Sequence, residues 1–270
     1  MKALILAAGR GSRMGALTDS KPKCLVELHN KPLLLYQIEA LRAAHISEIG
    51  IVVGYQSQAI APFIESYKLK VFENAQWADS NMVHSLSCAK EWLLDSVSIA
   101  GGTSSHMSIS QRSTQENAEN LREGCIVSYS DIFYSAQGVK DLMRAKSDMA
   151  ILYSSKWRHL WEKRFINPLE DAESFKMRDN ILCEIGSRTQ SIDEIQGQYM
   201  GLLYFSKKGL ERFLSLENSM KIDTTSLLRR CIANGEKILC VKYAGVWGEC
   251  DSASDIALYE GLYPHFTHLT

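Results

Sequence analysis

The sequence lacks an excess of charge of either sign. Its 30 lysines and arginines nearly balance 31 aspartates and glutamates, which leaves a formal net charge of −1. Without a global positive field, we expect no binding of nucleic acid. The sequence also lacks an apolar run of membrane-spanning length and a charged-then-apolar leader. We therefore expect no membrane insertion and a cytoplasmic location.

Cysteine pairs of the Cys-x-x-Cys type are missing as well. The chain has seven cysteines, an odd number, and they are scattered along it. This spacing is typical of reduced thiols in a cytosolic protein. We therefore expect neither a disulfide framework nor a zinc site.

The most distinctive stretch of the chain runs from Leu4 to Leu28 and lacks two common phosphate-binding motifs. An apolar run, Ala3–Ala8, is short and continuous enough for a strand buried on both faces. Glycines and arginines follow, and such glycines let backbone N–H groups turn toward a phosphate chain. Met14 stands where a dinucleotide fingerprint requires its third glycine. No Gly-Lys-Ser/Thr follows as a P-loop would require. The loop is therefore either another class of phosphate site or a glycine-rich turn with solvated arginines.

The same residues resemble the signature of a known family. The strand, the loop with Gly9, Gly11 and Arg13, and the Pro22-Lys23 pair follow one another as in the sugar-phosphate and choline-phosphate nucleotidyltransferases. Those enzymes join a nucleoside triphosphate to a sugar phosphate or a small alcohol phosphate. The resemblance extends over nearly the whole chain. It is nearest to the subgroup of CTP:phosphocholine and related phosphonate cytidylyltransferases.

Strand and helix patterns alternate along the chain. The β-α-β-α-β rhythm between residues 3 and 72 indicates a mostly parallel sheet with right-handed crossovers. The resemblance implies the Rossmann-like three-layer α/β/α nucleotidyltransferase fold, with a mixed, mostly parallel sheet and a small antiparallel elaboration on the acceptor side. We expect one domain, 1–270. A disordered insertion is predicted within 95–123, where Ser, Thr, Gln, Asn and Gly dominate.

Two local predictions concern the helices. Asn30 is expected to cap the first long helix, with Pro32 in its first turn. A later helix is expected to begin at Ser80 or Asn81 and to run to about Leu94. Both predictions follow from capping residues and apolar spacing alone.

Three acidic residues are candidate metal ligands. Asp131 follows an apolar strand, which places it at the sheet edge beside the glycine loop. Glu249 and Asp251 precede a helix, and alternation in an extended segment aims both at one face. Mg²⁺ prefers carboxylates together with phosphate oxygens, and the family carries acidic residues in matching contexts. We expect Mg²⁺ on Asp131, Glu249 and Asp251, the alternatives being a turn residue or helix cap for Asp131 and a helix cap for Asp251.

The nucleotide side follows from the loop and the resemblance. Lys23 is expected to contact the phosphates near the reacting centre, and Arg13 the β- and γ-phosphates that leave. The expected catalytic residues are Lys23, Arg13, Asp131 and Asp251. A helix cap (Asn81) and a solvent-facing serine (Ser85) remain alternatives to nucleotide binding. The predicted nucleotide-binding residues are Leu6, Ala7, Ala8, Gly9, Gly11, Arg13, Lys23, Asn81 and Ser85.

The acceptor side is predicted from two tryptophans. Trp157 and Trp161 are four residues apart and share a face on a helical turn. With Tyr199 they are expected to wall a cage for an ammonium head group, the alternative being two core anchors. Arg164 either binds the acceptor phosphate or pairs with Asp171 or Glu173. The predicted acceptor-binding residues are Trp157, Trp161, Arg164, Tyr199 and Glu249.

These features predict a Mg²⁺-dependent cytidylyltransferase. It is expected to transfer CMP from CTP to a small amine-bearing phosphate or phosphonate, phosphocholine-like or 2-aminoethylphosphonate-like, and to release pyrophosphate. One alternative is a UTP- or dTTP-dependent sugar-1-phosphate nucleotidyltransferase. Another is a non-catalytic, nucleotide-sensing regulatory subunit. A homodimer is compatible with the sequence, which does not decide the oligomeric state.

Overall fold

A central sheet of nine strands organises the chain. The computed structural model describes residues 1–95 and 124–264, so the insertion predicted within 95–123 lies outside the described residues except for Asp95. Its strands are β1 Lys2–Ala7, β4 Glu48–Val53, β5 Lys70–Glu73, β6 Cys125–Tyr129, β8 Met149–Ser154, β9 Phe175–Arg178, β10 Ile181–Ile185, β11 Gln198–Phe205 and β12 Ile238–Tyr243. Across the sheet they lie in the order β5-β4-β1-β6-β11-β8-β12-β10-β9.

The sheet is mixed but mostly parallel. β1 pairs in parallel with β4 on one side and with β6 on the other, so its whole length is buried. This burial explains why β1 is a continuous apolar run rather than an alternating one. β11 runs antiparallel to both of its neighbours, and β10 is antiparallel to β12. The fold-class prediction is confirmed, including its antiparallel portion.

Helices pack against this sheet in two groups. The helices at 33–43 and 136–143 contact each other, and those at 82–87, 90–94, 207–215 and 224–233 form the second set. Among the described residues, no helix is long and apolar enough to cross a membrane. The helices are α1 Leu33–Ala43, α2 Ala61–Tyr67, α3 Met82–Ser87, α4 Lys90–Leu94, α5 Ala136–Met143, α6 Trp157–Arg164, α7 Lys207–Ser215, α8 Thr224–Ala233 and α9 Ala253–Leu262.

Two small antiparallel pairs lie outside the main sheet. β2 Glu27–Leu28 pairs with β3 Lys31–Pro32, and β7 Ile132–Tyr134 pairs with β13 Trp247–Glu249. The second pair matters for the site because its register places Ile132 opposite Glu249. The Cys250 backbone N–H also donates to the Asp131 carbonyl at 2.8 Å. Two acidic segments far apart in sequence are thereby joined at one edge.

Both local helix predictions require correction. Asn30 does not cap the first helix: with φ near +56° it forms the turn between β2 and β3, and α1 begins at Leu33. The asparagine tolerates this left-handed conformation, which a tight hairpin turn requires. The long helix to Leu94 is divided into α3 and α4, because Ala89 departs from helical geometry.

Candidate active site

The glycine loop leaves the carboxyl end of β1, at the position where α/β folds bind phosphates. Leu6, Ala7 and Ala8 are buried at the strand end, whereas Gly9 is exposed. Gly11 adopts φ +71°, and a Cβ there would lie 2.7 Å from Cδ of Lys23. The loop therefore passes directly over the lysine stem, which only a glycine permits.

Replacing Gly11 by alanine should displace Lys23. The left-handed backbone alone should lower the free energy of unfolding by about 1–2 kcal/mol. Gly235→Ala is a matched control, because Gly235 has φ +80° with nothing within 4 Å of a Cβ. We expect both variants to lose stability in denaturant titrations, Gly11→Ala more than Gly235→Ala because it also displaces Lys23, and we expect a loss of turnover in Gly11→Ala only. Equal turnover in the two variants would contradict the contact with Lys23.

Lys23 lies at the centre of the site. Its ammonium donates to Asp131 Oδ2 at 2.7 Å and to Asp251 Oδ1 at 2.5 Å. Burial would lower the pKa of Lys23, but the two carboxylates raise it above its ordinary value. The side chain is 8% exposed, so the ammonium is held charged in a largely dry setting. A fixed cation in such a setting acts strongly on nearby phosphate charge.

Three carboxylates surround this lysine. One oxygen each from Asp131, Glu249 and Asp251 lies within 4.8 Å of the others. Asp131 Oδ1 is buried and has no hydrogen-bond partner among the residues that the structure describes. A buried carboxylate oxygen without a donor is costly unless a ligand or ion satisfies it. The three predicted metal ligands therefore converge, and the donor set fits the preference of Mg²⁺ for carboxylate oxygens.

The convergence perturbs Glu249. Burial, followed by the charges of Asp251 and Asp131, raises the pKa of Glu249 from 4.5 to about 8, against the opposing effects of Arg164 and Lys23. Such a shift is typical of functional carboxylates as well as of crowded ion-pair networks. Without a bound cation, Glu249 therefore favours its protonated form at neutral pH.

This pKa predicts a pH-dependent stability. A folded-state pKa above the unfolded value of 4.5 stabilises the protein below pH 4.5, and that contribution is lost as pH rises toward 8. Glu249→Gln mimics the protonated form, so its Tm in EDTA should nearly equal that of the wild type at pH 5. It should exceed the wild-type Tm increasingly up to pH 8. A Tm difference that does not change with pH would contradict the raised pKa.

Two arginines flank the carboxylates. Arg13 Nη2 lies 2.9 Å from Asp251 Oδ1, and its side chain is 66% exposed, so the guanidinium is accessible from solvent while paired with Asp251. Arg164 is fully buried and donates to both oxygens of Asp255, at 2.9 and 3.3 Å. The same guanidinium lies 3.6 Å from Glu249 and from Asp251. The buried guanidinium of Arg164 therefore fixes the positions of the carboxylates of Glu249, Asp251 and Asp255.

This placement corrects the predictions for Arg164. Its partner is Asp255, not Asp171 or Glu173, and its buried side chain does not line the cleft that opens beside the carboxylates. Asp255 in turn accepts from the backbone N–H groups of Asp251 and Ser252 at 2.9 Å. The Asp255 carboxylate thus connects the first turn of α9 to Arg164. No local sequence pattern predicts this contact between Asp255 and Arg164.

A cleft of about 460 Å³ opens beside the carboxylates. Trp161, Tyr199 and Glu249, three of the residues predicted to bind the acceptor, line it, and Arg13 and Asp251 reach it as well. Contact of these residues with an acceptor stays a prediction. Tyr129 and Trp247 add two aromatic rings that the sequence reasoning missed. The other lining residues are Met82, Ile132, Asp171, Glu173, Gly186, Arg188, Gln198, Met200, Gly201, Asp223, Thr224, Thr225, Ser226 and Arg229.

The predicted tryptophan cage requires correction. Trp157 is 3% exposed and packs edge-on against Trp161 without lining the cleft. Trp161 stacks on Trp247 at 5.8 Å, and the Arg164 guanidinium lies 4.9 Å from its ring centre. These contacts use ring faces that a cation cage would need. The core-anchor alternative therefore describes Trp157. Trp161 packs against its neighbours as well, and its indole N–H donates a hydrogen bond to Asp171 at 3.1 Å.

The two predicted nucleotide residues on α3 have structural partners. Asn81 caps α3, its side chain accepting from Met82 N at 2.8 Å. Ser85 is 5% exposed and accepts from Asn74 Nδ2 at 3.0 Å, so the solvent-facing alternative is wrong for it. The cap alternative for Asn81 is confirmed. Contact of either residue with the nucleotide stays a prediction.

The match to known families agrees with this site. A model of the MobA-like NTP transferase domain matches residues 3–174, well over half of the chain. The chain belongs to the MobA-like NTP transferase family. The matched part holds the glycine loop, Lys23 and Asp131, whereas Glu249 and Asp251 lie beyond it. Members of this family are nucleotidyltransferases, so the chain is an enzyme of that type.

Individual relatives refine the comparison. The CTP:phosphoglutamine cytidylyltransferase of Campylobacter jejuni is 35% identical over 269 residues, which span 95% of this chain and 98% of the relative. The choline-phosphate cytidylyltransferase of Streptococcus pneumoniae is 43% identical over 96 residues, 36% of this chain and 42% of the relative. Both are therefore similar to the chain in sequence, but only the first along nearly its whole length.

Solved structures share the fold. A CTP:phosphocholine cytidylyltransferase from S. pneumoniae aligns with a TM-score of 0.66 at 20% identity, covering 97% of this chain and 98% of its own. An inositol-1-phosphate CTP transferase from T. maritima aligns at 0.69 and 16% identity, covering 99% and 98%. At these identities the likeness establishes the nucleotidyltransferase fold alone.

Proposed function

We propose that this nucleotidyltransferase transfers CMP from CTP to a small amine-bearing phosphate or phosphonate and releases pyrophosphate. The observation that carries the proposal is the convergence of Lys23 with Asp131, Glu249 and Asp251 beside the glycine loop and the acceptor cleft. The similarity to the Campylobacter cytidylyltransferase over nearly the whole chain supports CTP as the donor. The retained lysine and carboxylates argue against a regulatory subunit without catalysis.

The reaction requires an in-line displacement. An oxygen of the acceptor phosphate forms a bond to the α-phosphorus of CTP, and the bond from that phosphorus to the leaving pyrophosphate oxygen breaks. The protein needs no covalent nucleophile, so its work is positioning and charge neutralisation. Lys23 is fixed where it neutralises charge on the reacting phosphates, and the exposed Arg13 reaches the β- and γ-phosphates that leave.

The carboxylates suit a divalent cation. Asp131, Glu249 and Asp251 would hold Mg²⁺, which when bound supplies charge neutralisation for the phosphate oxygens. Arg164 keeps Glu249 and Asp251 in position through its contacts from behind. The glycine loop presents backbone N–H groups toward the triphosphate, because Gly9 and Gly11 add no side chain there.

Pyrophosphate release tests the proposal directly. CTP, UTP, dTTP and ATP are each combined with phosphocholine, phosphoethanolamine, 2-aminoethylphosphonate, phosphoglutamine, inositol 1-phosphate and glucose 1-phosphate. We expect Mg²⁺-dependent release with CTP and an amine-bearing acceptor only. Release with UTP or dTTP and glucose 1-phosphate would establish the sugar-phosphate alternative instead. No release with CTP and any amine-bearing acceptor would overturn the proposed acceptor class.

A further inference from the structure

Besides the candidate metal ligands, a second group of charged side chains lines the cleft. It consists of Glu173, Arg188, Asp223 and Arg229 and is called the head-group cluster below. The cluster combines two acidic and two basic side chains around one cavity. A head-group pocket for a cation alone needs no arginine, and a head-group pocket for a sugar needs no such mixture of acidic and basic side chains.

Local structure brings the cluster together. The loop after β10 turns at Gly186, where φ is +77° and a Cβ would lie 2.7 Å from Thr225 Oγ1. The same Cβ would lie 3.5 Å from Glu173 Oε2, so the glycine lets the loop, the first turn of α8 and Glu173 meet. Arg229 bridges the two elements, since it donates to Ser187 Oγ at 3.1 Å and to Ser226 Oγ at 3.0 Å. The guanidinium is thereby held in a defined position while remaining exposed.

The two acids of the cluster are not equivalent. Asp223 caps α8 and accepts from Ser226 N at 2.6 Å and from the hydroxyls of Thr225 and Ser226. Glu173 is half-buried, and no hydrogen bond or ion pair to its carboxylate is found among residues 1–95 and 124–264. Burial, Asp223 and Asp171 raise the pKa of Glu173, while Arg188 and Arg229 lower it. Glu173 is therefore the acid with room for a cationic partner.

We propose that the acceptor carries an amino-acid head group, whose carboxylate is bound by Arg229 and whose ammonium is bound by Glu173. The inference rests on the proposed function and names its substrate class. Arg229 donates two of its five N–H groups to serines, so three remain for a carboxylate, to which the planar guanidinium is well matched. A half-buried carboxylate without a donor, as in Glu173, is matched to an ammonium. Glutamine has such a head group, and the Campylobacter relative is described as acting on phosphoglutamine.

Matched acceptors separate the two charges. 2-Amino-5-phosphonopentanoate carries both, 4-aminobutylphosphonate lacks only the carboxylate, and 5-phosphonopentanoate lacks only the amine. Phosphoglutamine and phosphocholine complete the set, each with CTP and Mg²⁺. We expect kcat/KM for 2-amino-5-phosphonopentanoate to exceed that of either truncated phosphonate at least tenfold, and phosphoglutamine to exceed phosphocholine.

Two variants assign the charges to residues. Arg229→Gln should raise KM for 2-amino-5-phosphonopentanoate at least tenfold and leave KM for 4-aminobutylphosphonate within twofold. Glu173→Gln should raise KM for both amine-bearing phosphonates and spare 5-phosphonopentanoate. A merely structural role would not produce these opposite selectivities. The exposed Arg178 and Glu65 provide matched controls, as Arg178→Gln and Glu65→Gln, which should change no KM.

The outcomes distinguish the inference from the proposed function. Turnover of phosphocholine or 4-aminobutylphosphonate with CTP at or above the level of the amino-acid acceptors would keep the cytidylyltransferase and overturn the head-group assignment. The assignment is also overturned if either variant raises KM for all acceptors and for CTP alike. No turnover with CTP and any of the five acceptors would overturn both.

Discussion

Lys23→Met is expected to lower kcat by about a hundredfold to a thousandfold, which is the scale of a single fixed donor at a developing charge. The lysine is buried, fully charged and bonded to Asp131 and Asp251, so no water molecule can reproduce its position. The KM for CTP should change less than kcat, because the variant keeps Arg13 and the loop, the proposed binding groups for the outer phosphates. Pyrophosphate release at saturating CTP and acceptor measures both quantities.

The same variant should also be less stable. Removing Lys23 leaves its carboxylate partners without a compensating charge. Breaking a fully buried ion pair in this way lowers the free energy of unfolding by about 3–5 kcal/mol, and the partial exposure of this site reduces that loss. Added Mg²⁺ should therefore raise the Tm of Lys23→Met more than that of the wild type, because a cation replaces the missing ammonium. The exposed Lys237→Met is the control and should match the wild type. A kcat within threefold of the wild type would exclude a catalytic role for Lys23.

Asp251→Asn is expected to lower turnover by more than about a hundredfold at saturating Mg²⁺, since losing even a supporting partner of a metal ligand costs 10- to 100-fold. Asp251 is 6% exposed, and it lies near more cations of the site than any other carboxylate described above. Lys23 and Arg13 both contact its Oδ1, and Arg164 lies near its Oδ2. The amide keeps the shape but removes the charge that these cations and Mg²⁺ require.

A magnesium titration separates this role from a folding defect. If Asp251 is a metal ligand, the Mg²⁺ concentration for half-maximal release should rise in Asp251→Asn while the far-UV spectrum stays native. Asp193→Asn is a control on the surface, where Asp193 is exposed and pairs with Arg158. An unchanged Mg²⁺ dependence with near-normal turnover would show that Asp251 is only a helix-terminal residue.

Parts of the site that depend on local pattern were predictable from the sequence. The buried run of β1, the glycine loop and the position of Asp131 at a strand end follow from residue order, and the structure places them as expected. Alternation also aims Glu249 and Asp251 at one side, where they meet Asp131. These features were accessible because each is encoded within a few neighbouring residues.

Partners distant in sequence were decided by the tertiary structure. Lys23 contacts carboxylates 108 and 228 residues away, and Arg164 contacts Asp255 rather than the nearer acids proposed for it. Helical spacing placed Trp157 and Trp161 on one helix, but only packing against Trp247 determined which indole reaches the cleft.

The amino-acid sequence by itself determined the class of fold, the glycine loop and the three candidate metal ligands. The tertiary structure alone decided which cations face those ligands and which charges form the head-group cluster. The physical reason is range: secondary-structure periodicity and loop chemistry act between neighbours, whereas ion pairing and burial depend on segments that meet only after folding. Arg229 illustrates the difference, since its serine partners lie 42 and 3 residues away and only the folded chain brings the first of them into contact.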